Sequence, residues 1–312
     1  VAWSPDGKLG VLVTHPEDEL SRGRTSEELE TLKTQSPADL QISPSTIYVF
    51  DAESESWQEI YRLERKYIYE PFWSPDGQWL AFAVRGSVWA FHPLQADDGI
   101  YVIRPDGSDL RQLSAVEAGI LGWLGNGILL QHVLAPYPAT DYAIDLLTLD
   151  GELKSLFESE RSAYYNLAPD GSALLVSDAQ GVSAHSPQKA VDLLALEGSI
   201  LHTYGTFSNQ SASIFSTAWS DDGVQIAFAS LRRVYVSPRG GNPREVYVAD
   251  DTFVQPTIWQ MQFSPDQQYL LLDVYDGVPK LVSVALDGGE ATQVTWPGLN
   301  LDYQARNFSW RP

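Results

Sequence analysis

Trp73-Ser74-Pro75-Asp76-Gly77-Gln78-Trp79-Leu80-Ala81-Phe82-Ala83 joins a tight turn to an unbroken apolar run, and the chain uses this combination repeatedly. Pro and Asp-Gly reverse the backbone, and a short apolar run bounded by turn residues reads as a buried strand. The pentapeptide recurs intact at Trp3-Ser4-Pro5-Asp6-Gly7. Near copies stand at Trp219-Ser220-Asp221-Asp222-Gly223, Phe263-Ser264-Pro265-Asp266 and Leu167-Ala168-Pro169-Asp170-Gly171, and a worn one at Trp123-Leu124-Gly125-Asn126-Gly127. Apolar runs follow in the same way, as in Ala173-Leu174-Leu175-Val176, Ile226-Ala227-Phe228-Ala229 and Leu270-Leu271-Leu272.

Farther along each repeat a third strand is expected, over 47–50, 100–103, 144–149, 191–196, 234–237 and 281–284. Each leads to a second turn: Asp51-Ala52, Pro105-Asp106-Gly107, Asp150-Gly151, Glu197-Gly198, Gly240-Gly241 and Asp287-Gly288-Gly289, where Gly and Asp suit hairpin geometry. A fourth strand follows, as over 110–113, 153–157, 245–248 and 292–295. Four strands per repeat, at a spacing of about 40 to 50 residues where nothing is inserted, describe a propeller blade. The expectation is an all-β, six-bladed β-propeller of four-stranded antiparallel blades, forming one domain over residues 1–312. Phe308-Ser309-Trp310-Arg311-Pro312 starts a seventh repeat and is expected to pack near blade one, closing the ring and covering sheet edges.

The turn motif, its apolar strand and an Ile-Tyr-Val strand with Asp-Gly after it resemble the TolB-like family of WD-type propeller repeats along essentially the whole chain. Gly125-Asn126-Gly127 in the third repeat and Gln267 in the sixth depart from the pattern while keeping turn character. The resemblance implies a propeller and an extracytoplasmic setting, periplasmic or at the cell surface. Its members include scaffolds, binding modules and propeller domains of serine peptidases, so function has to be argued from the site.

The formal charge is −21, from 20 Lys and Arg against 41 Asp and Glu, with a pI near 4.4. That balance excludes a nucleic-acid partner, which needs a clustered basic surface. Cysteine is absent, which removes disulfides, thiolate catalysis and the usual structural zinc sites. No apolar run approaches the roughly 20 residues of a bilayer span, so this segment is not expected to insert in a membrane. A monomer is expected.

In a four-stranded meander the first-to-second and third-to-fourth turns share one face, and the other connections share the opposite one. The first set is short and uniform. The second is long and varied, covering about 14–46, 85–99, 134–142, 179–189, 207–215 and 249–257, and binding residues concentrate in such loops. Tyr69, Tyr164, Tyr165, Phe215 and Trp259, with Glu70 and Arg306 beside them, stand at the starts of the inner strands and form the candidate mouth of a central channel. Packing between neighbouring blades is the other role open to each ring. An insertion at about 15–45 carries the capping-box pattern Thr25-Ser26-Glu27-Glu28 and predicts a short helix over 26–34.

No Gly-x-Ser-x-Gly elbow, Ser-x-x-Lys pair or His-Glu-x-x-His motif occurs. His15, His92, His132, His185 and His202 are scattered singly, and Glu17-Asp18-Glu19, Asp97-Asp98 and Asp250-Asp251 lack the spacing of a calcium loop. No catalytic residue, metal or cofactor is therefore assigned. The expectation is a non-enzymatic binding or scaffolding propeller for a protein or peptide partner. The alternatives are a lactonase or glycosidase with acidic residues and a divalent ion at the mouth, or the propeller part of a larger surface or peptidase protein.

Overall fold

The computed structural model describes residues 2–14, 44–64, 66–85, 95–134, 142–159, 163–178, 188–208, 216–230, 232–249, 257–275 and 278–294. The helix expected over 26–34, most of the long connections and the closing segment 308–312 lie outside the described residues. Among the described residues there are six four-stranded sheets and no helix. The first sheet runs β1 (Ala2–Trp3), β2 (Leu9–Thr14), β3 (Ser45–Asp51), β4 (Ser56–Leu63), and the second β5 (Tyr67–Trp73), β6 (Leu80–Arg85), β7 (Gly99–Ile103), β8 (Arg111–Ser114). The third holds β9 (Ala118–Leu124), β10 (Gly127–Val133), β11 (Tyr142–Thr148) and β12 (Leu153–Ser159), and the fourth β13 (Ala163–Leu167), β14 (Leu174–Asp178), β15 (Gln188–Leu194) and β16 (Ile200–Ser208). The fifth comprises β17 (Thr217–Trp219), β18 (Gln225–Ser230), β19 (Arg233–Pro238) and β20 (Arg244–Val248), and the sixth β21 (Thr257–Phe263), β22 (Tyr269–Tyr275), β23 (Pro279–Ala285) and β24 (Ala291–Val294). Every sheet follows chain order, as a meander requires.

Two expected third strands end earlier than read from hydropathy, at Thr148 and Leu194. In both, the hairpin turn takes the last apolar residues: the Gly151 amide donates to the Thr148 carbonyl, and the Gly198 amide to that of Ala195.

The turn motif has a physical reason at each position. In Ser4-Pro5-Asp6-Gly7 the Gly7 amide closes on the Ser4 carbonyl at 2.8 Å, the Ser4 hydroxyl donates to Asp6 Oδ1 at 2.8 Å, and the Leu9 amide donates to Ser4 Oγ at 2.9 Å. The repeats at Ser74, Ser220 and Ser264 reproduce this network. The residue after Asp must enter the left-handed region, with φ of 67° at Gly7 and 68° at Gly77, Gly171 and Gly223, a conformation open to glycine without a Cβ penalty.

The aromatic that opens the motif ties one sheet to the one before it. Trp73 Nε1–H donates to the Ala2 carbonyl at 3.1 Å, Trp123 Nε1–H to that of Phe72 at 3.0 Å, and Trp219 Nε1–H to that of Asn166 at 3.1 Å. Each acceptor is the residue just before the corresponding motif position of the preceding repeat.

The chain divides into two compact units, Val1–His132 with Leu146–Lys154 and Pro312, and Val133–Asp145 with Ser155–Arg311. Within the first, β1 adjoins β5 and β5 adjoins β9; within the second, β13 adjoins β17 and β17 adjoins β21, so first strands of successive sheets converge. The second strands carry apolar runs on both of their faces because both faces are covered. Leu80, Phe82 and Val84 join the cluster with Val11, Ile47 and Val49, while Ala81 and Ala83 face Ile128, Leu130 and Leu147. Ile226 and Phe228 likewise pack with Leu175 and Val191, and Ala227 and Ala229 with Leu270 and Leu272. Large residues on one face and alanines on the other let neighbouring sheets approach closely. Third-strand tyrosines complete the layer, with Tyr101 stacked on Phe82 at 5.8 Å and Tyr235 on Phe228 at 5.3 Å.

Candidate functional site

Four of the seven mouth residues have described side chains, and they differ in exposure. On β13, Tyr164 is 51% exposed and pairs across the strand with Ser177. Its neighbour Tyr165 points the other way, as strand alternation demands, and is 7% exposed. The Tyr165 hydroxyl bonds Ser159 Oγ at 3.0 Å and its ring meets Phe157 at 6.4 Å, so it supports the strand from behind. Trp259 is 41% exposed on β21. The register there passes from Ile258↔Val274 to Gln260↔Asp273, leaving Trp259 as the extra residue of a β-bulge, a device that re-aims a side chain.

Tyr69 stands at a second irregularity, where β5 passes from Tyr69↔Ala83 to Phe72↔Ala81 across Glu70-Pro71. Pro71 cannot donate to the ladder, which suits this break. Arg85 lies over the Tyr69 ring at 5.3 Å and donates to the Ala118 carbonyl at 3.1 Å. Burial raises the Tyr69 hydroxyl above its ordinary value, and the Arg85 charge opposes it. Glu70 lies on β5 with its side chain outside the description, and Phe215 and Arg306 are outside the described residues.

Sequence reasoning missed the most buried charge network. Lys66 is 7% exposed, ion-paired with Asp97 and with Asp98 Oδ1 at 2.9 Å. The Gln95 amide donates to Asp98 Oδ2 at 2.9 Å, the Gln112 side-chain amide to the Asp98 carbonyl at 3.0 Å, and the Ser45 hydroxyl to the Lys66 carbonyl at 2.7 Å. Next to this pair, Gly99 has φ 142°, and a Cβ there would lie 2.0 Å from the Ser114 carbonyl oxygen. Burial works against the Lys66 charge, but hydrogen bonds to Asp97 and Asp98 outweigh it and raise its pKa. The Asp97-Asp98 pair, a candidate for glycoside or calcium chemistry, is thus engaged by the chain's own ammonium, which offsets one of its two charges. The available signal was a single Lys ahead of Tyr67-Ile68-Tyr69, 32 positions from its partner.

The remaining candidates disperse. His202 Nε2 bonds the Gly241 carbonyl at 3.1 Å and its ring packs on Tyr204, while His15, His92, His185, Glu17-Asp18-Glu19 and Asp250-Asp251 lie outside the described residues. His132 ends β10. Among the described residues, no three His, Asp or Glu side chains gather as a metal site would need. On the turn face a cleft of about 390 Å³ is lined by Ser4, Pro5, Asp6, Pro75 and Asp76, whose carboxylates serve their own turns. Nearby, Arg104 and Arg111 stack on Trp79 at 3.8 and 4.6 Å, joining the ends of β7 and β8.

No family model and no curated protein matches the sequence. Solved structures do resemble it in fold. A putative TolB from Agrobacterium tumefaciens gives a TM-score of 0.53 at 15% identity, over 80% of this chain and 87% of that one. A putative 6-phosphogluconolactonase from Bacteroides fragilis gives 0.53 at 14% identity, over 95% and 83%. An acylaminoacyl peptidase gives 0.57 at 18% identity over 94% of this chain, which spans 44% of the peptidase chain. Identities this low carry fold and no activity. The meandering four-stranded sheets, their converging first strands and these likenesses together make the fold a β-propeller, similar to that of the TolB structure.

Proposed function

We propose that the protein is a non-enzymatic binding or scaffolding propeller that engages a protein or peptide through the long-loop face and the mouth formed by its first strands. The observation that carries this reading is the exposure of two large aromatics, Tyr164 and Trp259, on first strands whose other described rings are buried or half-buried. Rigid aromatics bury much area at little entropic cost and dominate recognition surfaces. The bulge at Trp259 supports the reading, because it holds the indole out of the regular alternation. Tyr69 is the first-strand ring of this kind in the first unit, and in the second unit Tyr165 acts as backing. Engagement of Asp97 and Asp98 by Lys66 weighs against the hydrolase alternative. The extracytoplasmic setting implied by the family resemblance is part of this proposal.

A displayed library of random peptides, selected on the wild type and counter-selected on a Tyr164→Ala/Trp259→Ala variant, tests it. Enriched sequences that bind only the wild type are expected. Failure to enrich any, with both proteins folded by circular dichroism, would contradict the reading.

A further inference from the structure

Arg85 ends β6 and pairs with Tyr67 at the start of β5, so its side chain shares a sheet face with Tyr67 and Tyr69. That face meets the third sheet where β9 begins. There the Arg85 guanidinium donates one Nη2–H to the Ala118 carbonyl at 3.1 Å and lies over the Tyr69 ring at 5.3 Å. A guanidinium carries five N–H donors, and the remaining ones of Arg85 meet no acceptor among the described residues. Arg85 also forms no ion pair among them. The other described cations of the first unit that are buried or half-buried each have an aspartate: Lys66 has Asp97 and Asp98, and Arg104 has Asp109. Half-burying a charge without a counter-ion costs stability, and stacking on a ring offsets only part of that cost. An arginine held in this state at the long-loop end of the inner strands is set to receive an anion from outside the chain. Its planar fork, already oriented by the ring and the carbonyl, matches a carboxylate, which such a fork grips by two parallel hydrogen bonds. The chain's charge of −21 repels anions in general, so a carboxylate retained here is held by local contacts and not by diffuse attraction.

We propose that Arg85, stacked on Tyr69, is the subsite for a carboxylate of the bound peptide, supplied by its C-terminus or by an Asp or Glu side chain. This rests on the binding reading above and gives that partner a chemistry. Tyr69 acts here as a positioning residue, because its ring fixes the guanidinium that makes the contact.

The test follows the Arg85 Nε–H resonance of the full chain by nitrogen-15 NMR while three glycine-based probe peptides are titrated at constant pH and salt. The first is acetylated and ends in a free carboxylate; the second is capped at both ends and carries one central Glu; the third is the second with Gln in place of Glu. A saturable shift is expected with at least one carboxylate probe and none with the Gln probe, and the probe that saturates at lower concentration names the source of the carboxylate. Arg85→Lys assigns the resonance by its loss. This variant keeps the charge of −21 but lacks the fork, and it is expected to weaken the better probe at least about tenfold, read from the backbone amides of Tyr69 and Ala118. Undiminished binding to Arg85→Lys, an equal response to the Gln probe, or no saturable shift with either carboxylate probe up to about 10 mM would overturn the proposal. If Arg85→Lys does not fold, the comparison of the Glu and Gln probes on the wild type decides alone. Library-selected binders whose affinity survives amidation of the C-terminus and exchange of every Asp and Glu for its amide would refute the carboxylate subsite while the binding surface stands; a selection that yields no binders refutes the surface itself.

Discussion

Gln267 occupies the left-handed position of the sixth turn, with φ 56°, where four other copies of the motif carry glycine at 67° or 68°. A residue with a Cβ costs about 1–2 kcal/mol in that region, and glycine returns roughly 0.5–1 kcal/mol through its greater freedom in the unfolded chain. Gln267→Gly is therefore expected to stabilise by about 0.5–1 kcal/mol, seen as a rise of about 1–3 °C in thermal unfolding. Lys66 makes the opposite case. Replacing it by Met leaves the buried Asp98 without its counter-charge, and a loss of about 3–5 kcal/mol is expected in urea unfolding. Adding Asp98→Asn should restore part of that loss, because it removes the charge that the first change stranded.

At the scale of elements, the indole that opens each repeat acts as a fastener between sheets. Trp219→Phe removes the donor to the Asn166 carbonyl and some ring volume, and about 1–3 kcal/mol of destabilisation is expected from equilibrium unfolding. The second strands were legible in the sequence because both of their faces are buried, which writes a continuous apolar run such as Leu80-Ala81-Phe82-Ala83. β4 and β16 were harder to read. β4 turns mostly outward as Ser56-Trp57-Gln58-Glu59, and β16 begins with Ile200 and Leu201 exposed, so neither carries a buried alternation. Of the site, the aromatic positions on the first strands were readable from their place in the repeat. The bulge at Trp259 and the Lys66 pairing were not, since register and partners 32 positions apart are decided by tertiary packing.

For the whole molecule, the repeated turns set the response to acid. Serine hydroxyls donating to Asp6, Asp76, Asp106, Asp170, Asp222 and Asp266 hold these carboxylates below their ordinary value of 3.8, with backbone amides adding to the effect. A depressed folded value means the contribution is complete above 3.8 and disappears as pH falls through the lowered values. Asp221 runs the other way, since burial and the nearby Asp222 raise it. The melting temperature is expected to fall most steeply below pH 3.8, and Asp76→Asn should show a shallower fall; a steep loss already between pH 7 and 5 would contradict this origin.

We propose that the six sheets are consecutive blades of one closed ring. Lys8, Gln78 and Gln268 follow the motif turns of the first, second and sixth sheets and are equivalent by repeat, and the absence of cysteine allows clean labelling. Pulsed electron–electron resonance on the doubly labelled pairs Lys8→Cys/Gln78→Cys and Lys8→Cys/Gln268→Cys compares the two separations directly. A closed ring predicts closely similar distances, because both pairs then span neighbouring blades. A markedly longer Lys8–Gln268 separation would describe an open array and contradict the ring on which the mouth depends.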